Sequence, residues 1–355
     1  RLDRYIARRF FQFFFFSLFA ALAIYLVVDP IENLDKFLDK GVPKVEIFHY
    51  YLLYIPYILY VTFPVAVLLA TMFCIGGLTN SNELMAMTAS GVPLYRHLVS
   101  LGLIGLMLSA FAFWWGESVV PETNHQRLSI WRSKVQLKRD WRITEQGQVY
   151  LQDGPDRVLH LDVYQPKTKV GYGVDLFRFR AARVRERISA RQMSWDGSGW
   201  VLKDAVIRTF SPEGERIREL DRTRIELDIR PEDMIELKVE PEEMGMTDLR
   251  AFVERLRKTG GRVNRWQVDI HSKVALPFAG FIIILFAVPV SAVRQRSGVI
   301  FGITLSLLIS FIYFALMQTG KVLGYKEILP PLLAAWLGNL VFAALGLTLL
   351  VRVPK

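Results

Sequence analysis

The sequence predicts a polytopic α-helical membrane protein: six transmembrane helices with an inserted all-β, jellyroll-like domain on the non-cytoplasmic side. Three observations carry that prediction. Six strongly apolar stretches, 10–28, 47–78, 97–116, 274–293, 297–320 and 328–351, contain no Asp, Glu, Lys or Arg. They occupy 139 of the 355 residues, so every charge lies in the other 216. Lys and Arg are unevenly shared among the short loops, and the long segment 117–273 switches from helical to period-two patterning.

A bilayer core of about 30 Å needs ~20 helical residues at 1.5 Å each, and each stretch meets that length. The first has 19 residues, eight of them aromatic, with no small-residue cleavage site before Asp29 and Pro30, so it reads as a span and not as a cleaved signal. The second is interrupted by Pro56 and Pro64, which predicts a kink or a start well above the lipid. Its lone cysteine, Cys74, leaves no intramolecular disulfide. Gly298-x-x-x-Gly302 at the start of the fifth stretch would allow close approach of a neighbouring helix.

Orientation follows from the loops. With the N-terminus inside, segments 1–9, 79–96, 294–296 and 352–355 hold nine basic residues against Asp3 and Glu83, a net +7. The outer short loops, 29–46 and 321–327, hold five Lys against six acids, a net −1. Both termini are therefore expected in the cytoplasm and 117–273 outside it, which in a Gram-negative cell is the periplasm.

Segment 117–273 has 30 basic and 26 acidic residues, interspersed. From Gln148 to Val239 apolar residues alternate: Leu159-Leu161-Val163, Val206 with its neighbours, Ile225-Leu227-Ile229 and Ile235-Leu237-Val239. Turn residues at 153–155, 165–166, 196–199 and 211–214 separate the runs. Eight to ten short strands in an antiparallel sandwich or jelly roll are expected. Thr247 then caps an amphipathic helix (Leu249, Phe252, Val253, Leu256) ended by Gly260-Gly261, and Trp266 and His271 lie near the membrane interface. The expected domains are 1–116 (spans one to three, with a cytoplasmic coupling helix over about 81–91), 117–245 (β domain), 246–273 (connecting helix) and 274–355 (spans four to six).

The chemistry-bearing motifs are few. No G-x-x-x-x-G-K-[ST] loop occurs; Gly320-Lys321 is followed by valine and lacks the upstream glycine. His49, His97, His125, His160 and His271 are scattered, without zinc spacing. No span carries a mid-membrane charge of the kind that ion-coupled transport uses. The basic residues are not clustered, so no nucleic-acid partner is expected. This directs attention to the 79–96 loop. Ser81 can cap a helix, Leu84, Met85, Ala86 and Met87 favour one, and Gly91 with Pro93 stops it. Composition leaves two readings open: an ordinary re-entry turn, or a docking helix for a separate ATPase.

Leu2-Asp3-Arg4-Tyr5-Ile6, Phe63-Pro64, Ser81-x-Glu83-Leu84 with Ala89-Ser90-Gly91, Trp200-x-Leu202, Ser272-Lys273 and Pro330-Pro331 together resemble the lipopolysaccharide export ABC-transporter permeases (LptF/LptG). The resemblance runs the whole chain and is more LptG-like. It implies a periplasmic β-jellyroll and a multi-pass chain in the bacterial inner membrane. It also implies four partners: a second, LptF-like permease, a cytoplasmic LptB-like ATPase dimer that binds ATP and Mg, a single-span LptC-like periplasmic protein, and lipopolysaccharide. The chain itself would be no enzyme and hold no cofactor. Ser81, Glu83, Leu84 and Met87 fall on the coupling helix, with Glu83 matching a glutamate that meets an ATPase arginine. A carboxylate facing Arg makes charge-assisted, often bidentate, bonds.

At the outer end of the first span the family uses basic residues on lipid A phosphates. Lys36 matches one of them, whereas Asp29 and Asp35 stand where relatives carry lysine. Lys36 and Lys40 read either as phosphate contacts or as solvated, snorkelling side chains; Arg127, Arg132 or the partner permease are the other headgroup candidates. An acyl chain of about a dozen methylenes costs roughly 10 kcal/mol to leave in water. An apolar cavity is therefore expected, built from Phe10, Phe11, Phe13–Phe16, Phe19, Phe63, Phe301, Phe311 and Phe314, with spans one and five gating against the partner. The same aromatics also suit lipid-facing or helix-packing surface. Two rivals are a mechanotransmitting ABC permease for another lipid or lipoprotein substrate and a membrane enzyme acting on lipid or glycan. The first usually places its large domain after span one, and the second needs convergent carboxylates or a metal cluster.

Overall fold

The computed structural model describes residues 2–91, 94–135, 146–154, 156–180, 183–211, 214–231, 234, 240–258, 263–293 and 299–352. The helices are α1 (Leu2–Leu38), α2 (Lys44–Asn80), α3 (Glu83–Ala89), α4 (Leu94–Ser118), α5 (Val120–Ile130), α6 (Met246–Lys258), α7 (Asn264–Val293), α8 (Val299–Tyr325) and α9 (Pro331–Arg352). Among the described residues, six helices (α1, α2, α4, α7, α8 and α9) are long and apolar enough to cross a membrane, as expected. The contacts divide the chain into two units: 1–38, 47–125 and 264–355 form one, 39–46 and 126–263 the other.

In the helical unit one buried cluster includes Ala66, Val67 and Ala70 of α2 and Ala275, Ala279, Ile283 and Ala287 of α7. Lipid tails are as apolar as the side chains, so helices in a bilayer associate through close packing and buried hydrogen bonds. Both are present. A Cβ on Gly320 would collide with the carbonyl oxygen of Ala334, so glycine is what lets α8 and α9 touch backbone to backbone. Buried Asn339 of α9 accepts a bond from Tyr313 of α8 (2.9 Å) and donates one to the carbonyl of Ala275 on α7 (2.7 Å). Helix α2 continues through both Pro56 and Pro64 for 37 residues. Two ion pairs link the helices: Lys273 lies 3.6 Å from Glu117, and Asp269, with the Tyr325 hydroxyl bonded to it, lies 3.9 Å from Lys321.

The second unit contains one antiparallel sheet of six consecutive strands: β1 (Gln146–Asp153), β2 (Arg157–Gln165), β3 (Val170–Arg180), β4 (Arg183–Trp195), β5 (Trp200–Ser211) and β6 (Gly214–Ile225). The inserted all-β domain is thus present, and among the described residues it has six strands, longer than the short runs expected. One row of core residues crosses the sheet: Leu161 pairs with Val174, Val174 with Ala190, and Ala190 with Ala205. The row behind it is polar, with Arg187 clamping Asp175 at 2.9 and 3.1 Å and Ser189 donating to it at 2.6 Å. Burial alone would raise the Asp175 pKa; the Arg187 and Ser189 hydrogen bonds and the Arg187 charge outweigh it and hold the carboxyl low.

Strict alternation fails at two points. Gly173 (φ 62°) opposite Asp162 breaks the ladder, so Tyr164 enters the core where Val163 was expected. Asp204 (φ 54°) does the same in β5, where Ala205 takes the core place and Val206 does not. Irregular residues of this kind bend a sheet and change the side-chain phase. Of the expected run Ile225-Leu227-Ile229, only Ile225 is in a strand. Ile229 is buried and accepts the indole N–H of Trp200 at 2.7 Å. Ile235, Leu237 and Val239 lie outside the described residues, as do Gly260 and Gly261. Helix α6 begins at Met246, so Thr247 is inside it and not its cap; Leu249, Phe252 and Val253 are buried as the pattern required.

Candidate functional site

The 79–96 loop forms a helix shorter than expected. α3 spans seven residues, and Asn82, in a left-handed conformation (φ 55°), precedes it without a side-chain cap. Ser81 does not cap α3; its hydroxyl donates to Glu83 Oε1 at 2.7 Å. Gly91 (φ 87°) stops the helix as anticipated, because glycine takes left-handed backbone without a Cβ clash. Pro93 lies outside the described residues.

Glu83 is the hub of the loop. The Tyr5 hydroxyl donates to Oε2 at 2.9 Å, and Arg9 Nη1 reaches Oε1 at 3.4 Å and the Tyr5 oxygen at 3.0 Å. Hydrogen bonds from Ser81 and Tyr5, with the Arg9 charge, hold the Glu83 carboxyl below the usual carboxylate range. The carboxylate is therefore ionised, oriented and still half-exposed at the surface. Of the other predicted coupling residues, Leu84 is 6% exposed and belongs to the helical core, and Met87 packs partly against it. These two anchor α3 to its own spans. The apolar side chain that α3 offers outward is Met85, 55% exposed, which sequence reasoning assigned only to helix formation. Tyr5 and Arg9 were also missed as partners of Glu83. Their i,i+4 spacing puts them on one helix face, but nothing local says that face meets residue 83.

The apolar residues predicted to meet substrate separate into two groups. Phe63, 6% exposed, packs edge-on against Phe14 and fills the space left by Gly280. It is a packing residue here. Phe314 instead lines a cavity of ≈210 Å³ with Ala21, Ile24 and Tyr25 of α1 and Val61, Thr62 and Val65 of α2. The Thr62 hydroxyl is turned back onto the Ile58 carbonyl (2.8 Å), so the wall presents carbon. Phe311, one turn before Phe314, is 73% exposed. The α1 aromatics divide likewise: Phe10 and Phe14 are buried, and Phe15, Phe16 and Phe19 face outward. The Phe301 side chain and Gly298 lie outside the described residues. The expected combination of spans one, two and five thus borders one apolar cavity.

The basic candidates are less telling. Lys36, in the last turn of α1, donates to Asn33 at 2.6 Å, and Lys40 is exposed in the following turn. Arg132 is committed to a bidentate pair with Glu243 (2.6 and 2.9 Å), and Arg127 is buried.

The family model described as "Lipopolysaccharide export system permease LptF/LptG" matches residues 4–352. The lipopolysaccharide export system permease protein LptG of Escherichia coli K12 is 22% identical over 99% of this chain and 98% of its own length. LptG of Haemophilus influenzae is 23% identical over the same shares. LptF of E. coli K12 is 29% identical over 86 residues, 24% of each chain. The full-length similarity to LptG agrees with the LptG-like character read from the motifs.

Proposed function

The chain belongs to the lipopolysaccharide export system permease LptF/LptG family, and from that membership we propose that it is the LptG-like permease subunit of an ABC transporter. It extracts lipopolysaccharide from the outer leaflet of the bacterial inner membrane and passes it to a periplasmic β-jellyroll bridge. The family match over residues 4–352 is the observation that carries this reading. Both termini and α3 lie in the cytoplasm, and the sheet of β1–β6, Gln146–Ile225, lies in the periplasm.

The apolar cavity supports the lipid-handling part. At ≈210 Å³ it is smaller than the ~300–1,000 Å³ of sites that enclose a whole small ligand. It accepts part of an acyl chain and needs a second wall for the rest. The exposed faces of α1 and α8 are the natural place for that wall, supplied by an LptF-like second permease. Each methylene kept from water is worth ~0.8 kcal/mol, so enclosing the chains removes the main barrier to extraction. Lys36 and Lys40 would meet headgroup phosphates at the outer rim.

Energy comes from elsewhere. ATP and Mg are bound by a cytoplasmic LptB-like ATPase dimer, since this sequence has no phosphate-cradling loop. Glu83, ionised and oriented, meets an ATPase arginine, with Met85 beside it as the apolar contact. An LptC-like single-span protein receives the lipid in the periplasm. The test is purification of the full chain with a tagged ATPase subunit, followed by mass spectrometry of bound protein and lipid. Recovery of a second permease and lipopolysaccharide supports the proposal. Recovery of another lipid or a lipoprotein, with no second permease of this family, would replace it with the mechanotransmitting alternative.

A further inference from the structure

The carboxylate that opens α3 is held mainly by a different helix. Of the three side chains on Glu83, Tyr5 and Arg9 both come from α1. Arg9 reaches it by lying across α2. Its Nη2 is only 2.8 Å from where a Cβ on Gly77 would be, so the guanidinium occupies space that exists because residue 77 is glycine. One turn earlier, Asp3 accepts from Ser100 at 2.7 Å and lies 4.0 Å from Arg96. The start of α1 is thus tied to both α3 and α4.

The rest of α1 is held quite differently. Ile6, Phe10, Phe14 and Ser17 are buried, and after Ser17 no residue of the helix is buried until Phe37. Ala21, Ile24 and Tyr25, one wall of the cavity, fall within that loosely packed stretch. A continuous 37-residue helix cannot shorten without breaking its own hydrogen bonds, so displacement at one end reaches the other. The anchored end sits on the coupling carboxylate, and the unanchored part borders the space for the acyl chain.

We propose that Arg9 and Tyr5 are positioning residues that fasten α1 to Glu83, so that movement of α3 is passed directly into the first span and resets the Ala21–Tyr25 wall of the cavity. This deepens the proposed function and rests on it, because the ATPase is what moves α3. The linkage adds a path from α3 to the cavity that does not run through α2.

The test uses the full chain with its ATPase and second permease, with Cys74→Ser to remove the single native thiol. Spin labels are placed at Phe16→Cys and Phe311→Cys, both exposed. Both bonds go to an exposed, solvent-screened carboxylate, one of them long at 3.4 Å, so losing the two should change the coupling about tenfold. The Tyr5→Phe/Arg9→Met variant keeps the Ser81 bond on Glu83 and is compared with the unmutated chain at saturating ATPase, so that any weakening of the docking carboxylate is overcome and all readouts are taken per captured ATPase. The nucleotide-driven change in label distance should shrink, and lipid release per ATP should fall about tenfold. Arg9→Lys, which keeps the charge, should restore part of it. Tyr5→Phe alone removes one donor without altering packing, and should give a smaller loss in the same direction. An unchanged distance response in the double variant would overturn the proposal. So would loss of ATPase capture, which would assign the two residues to docking. If the unmutated chain captures no ATPase, the functional reading itself fails and this proposal with it.

Discussion

Tyr5 donates a 2.9 Å hydrogen bond to Glu83 across a sequence separation of 78 residues, joining the first turns of α1 to the start of α3. Because this bond, the Ser81 bond and the Arg9 charge lower the Glu83 pKa in the folded chain, their stabilisation has a defined pH dependence. It is fully present above the unfolded-state pKa of about 4.3 and is lost as pH falls through the lower folded value. Hydrogen exchange of the α3 amides should therefore stay slow down to that ordinary value and speed up only below it. Glu83→Gln should abolish the acid-side transition.

A close backbone approach makes a second prediction. Gly320→Ala would drive a methyl into the Ala334 carbonyl, so α8 and α9 must separate. A cost on the order of 1–3 kcal/mol is expected, read as a lower midpoint of thermal unfolding in detergent. Gly76→Ala is the control: nothing lies within 4 Å of its Cβ position, and alanine favours helix, so stability should hold or rise slightly.

Asn339→Leu tests whether the buried amide joins three spans. It removes the bonds to Tyr313 and Ala275 together and leaves the Tyr313 hydroxyl buried without them. Interhelical hydrogen bonds in membranes are worth roughly 0.6–2 kcal/mol each. The loss should appear as a lower unfolding midpoint, while Asn339→Gln should recover little because its longer arm does not fit the site.

In the other unit, Arg132 and Glu243 form a pair whose carboxylate is fully buried. Glu243 also accepts the backbone N–H of Glu240 at 2.9 Å in a capping box. Arg132→Met should cost about 3 kcal/mol by removing the guanidinium that pairs with that buried carboxylate. Arg132→Met combined with Glu243→Gln should cost less than the single change, a sign that the burden lies in the buried negative charge. Hydrogen exchange around Pro241–Glu243 distinguishes the two.

Legibility differed by element. The six spans were readable because charge exclusion over ~20 residues has no competing explanation, and α6 because its apolar face repeats at helical spacing. The strands were readable as period-two runs, but Gly173 and Asp204 were not, since one residue with positive φ shifts the phase without leaving a pattern. At the candidate site, Glu83 was identified by resemblance and by being one of two acids in the segments expected to face the cytoplasm. The partners Tyr5 and Arg9, and the burial of Leu84 and Phe63, depend on contacts between residues far apart in sequence. Phe63 illustrates the ambiguity: one ring serves a cavity wall or a core equally well until Gly280 is placed against it.

The central claim is that this chain is an ATP-driven lipid conduit whose fuel is consumed by a partner docked at Glu83. It is tested most directly by lipopolysaccharide release from vesicles holding the chain, its second permease and the ATPase, with and without ATP, for the unmutated chain and Glu83→Lys. The account predicts ATP-dependent release by the unmutated complex, no ATP hydrolysis by the chain alone, and at least about a tenfold loss with Glu83→Lys, where an arginine would face a like charge. Release that survives Glu83→Lys, or ATP hydrolysis by the isolated chain, would contradict it.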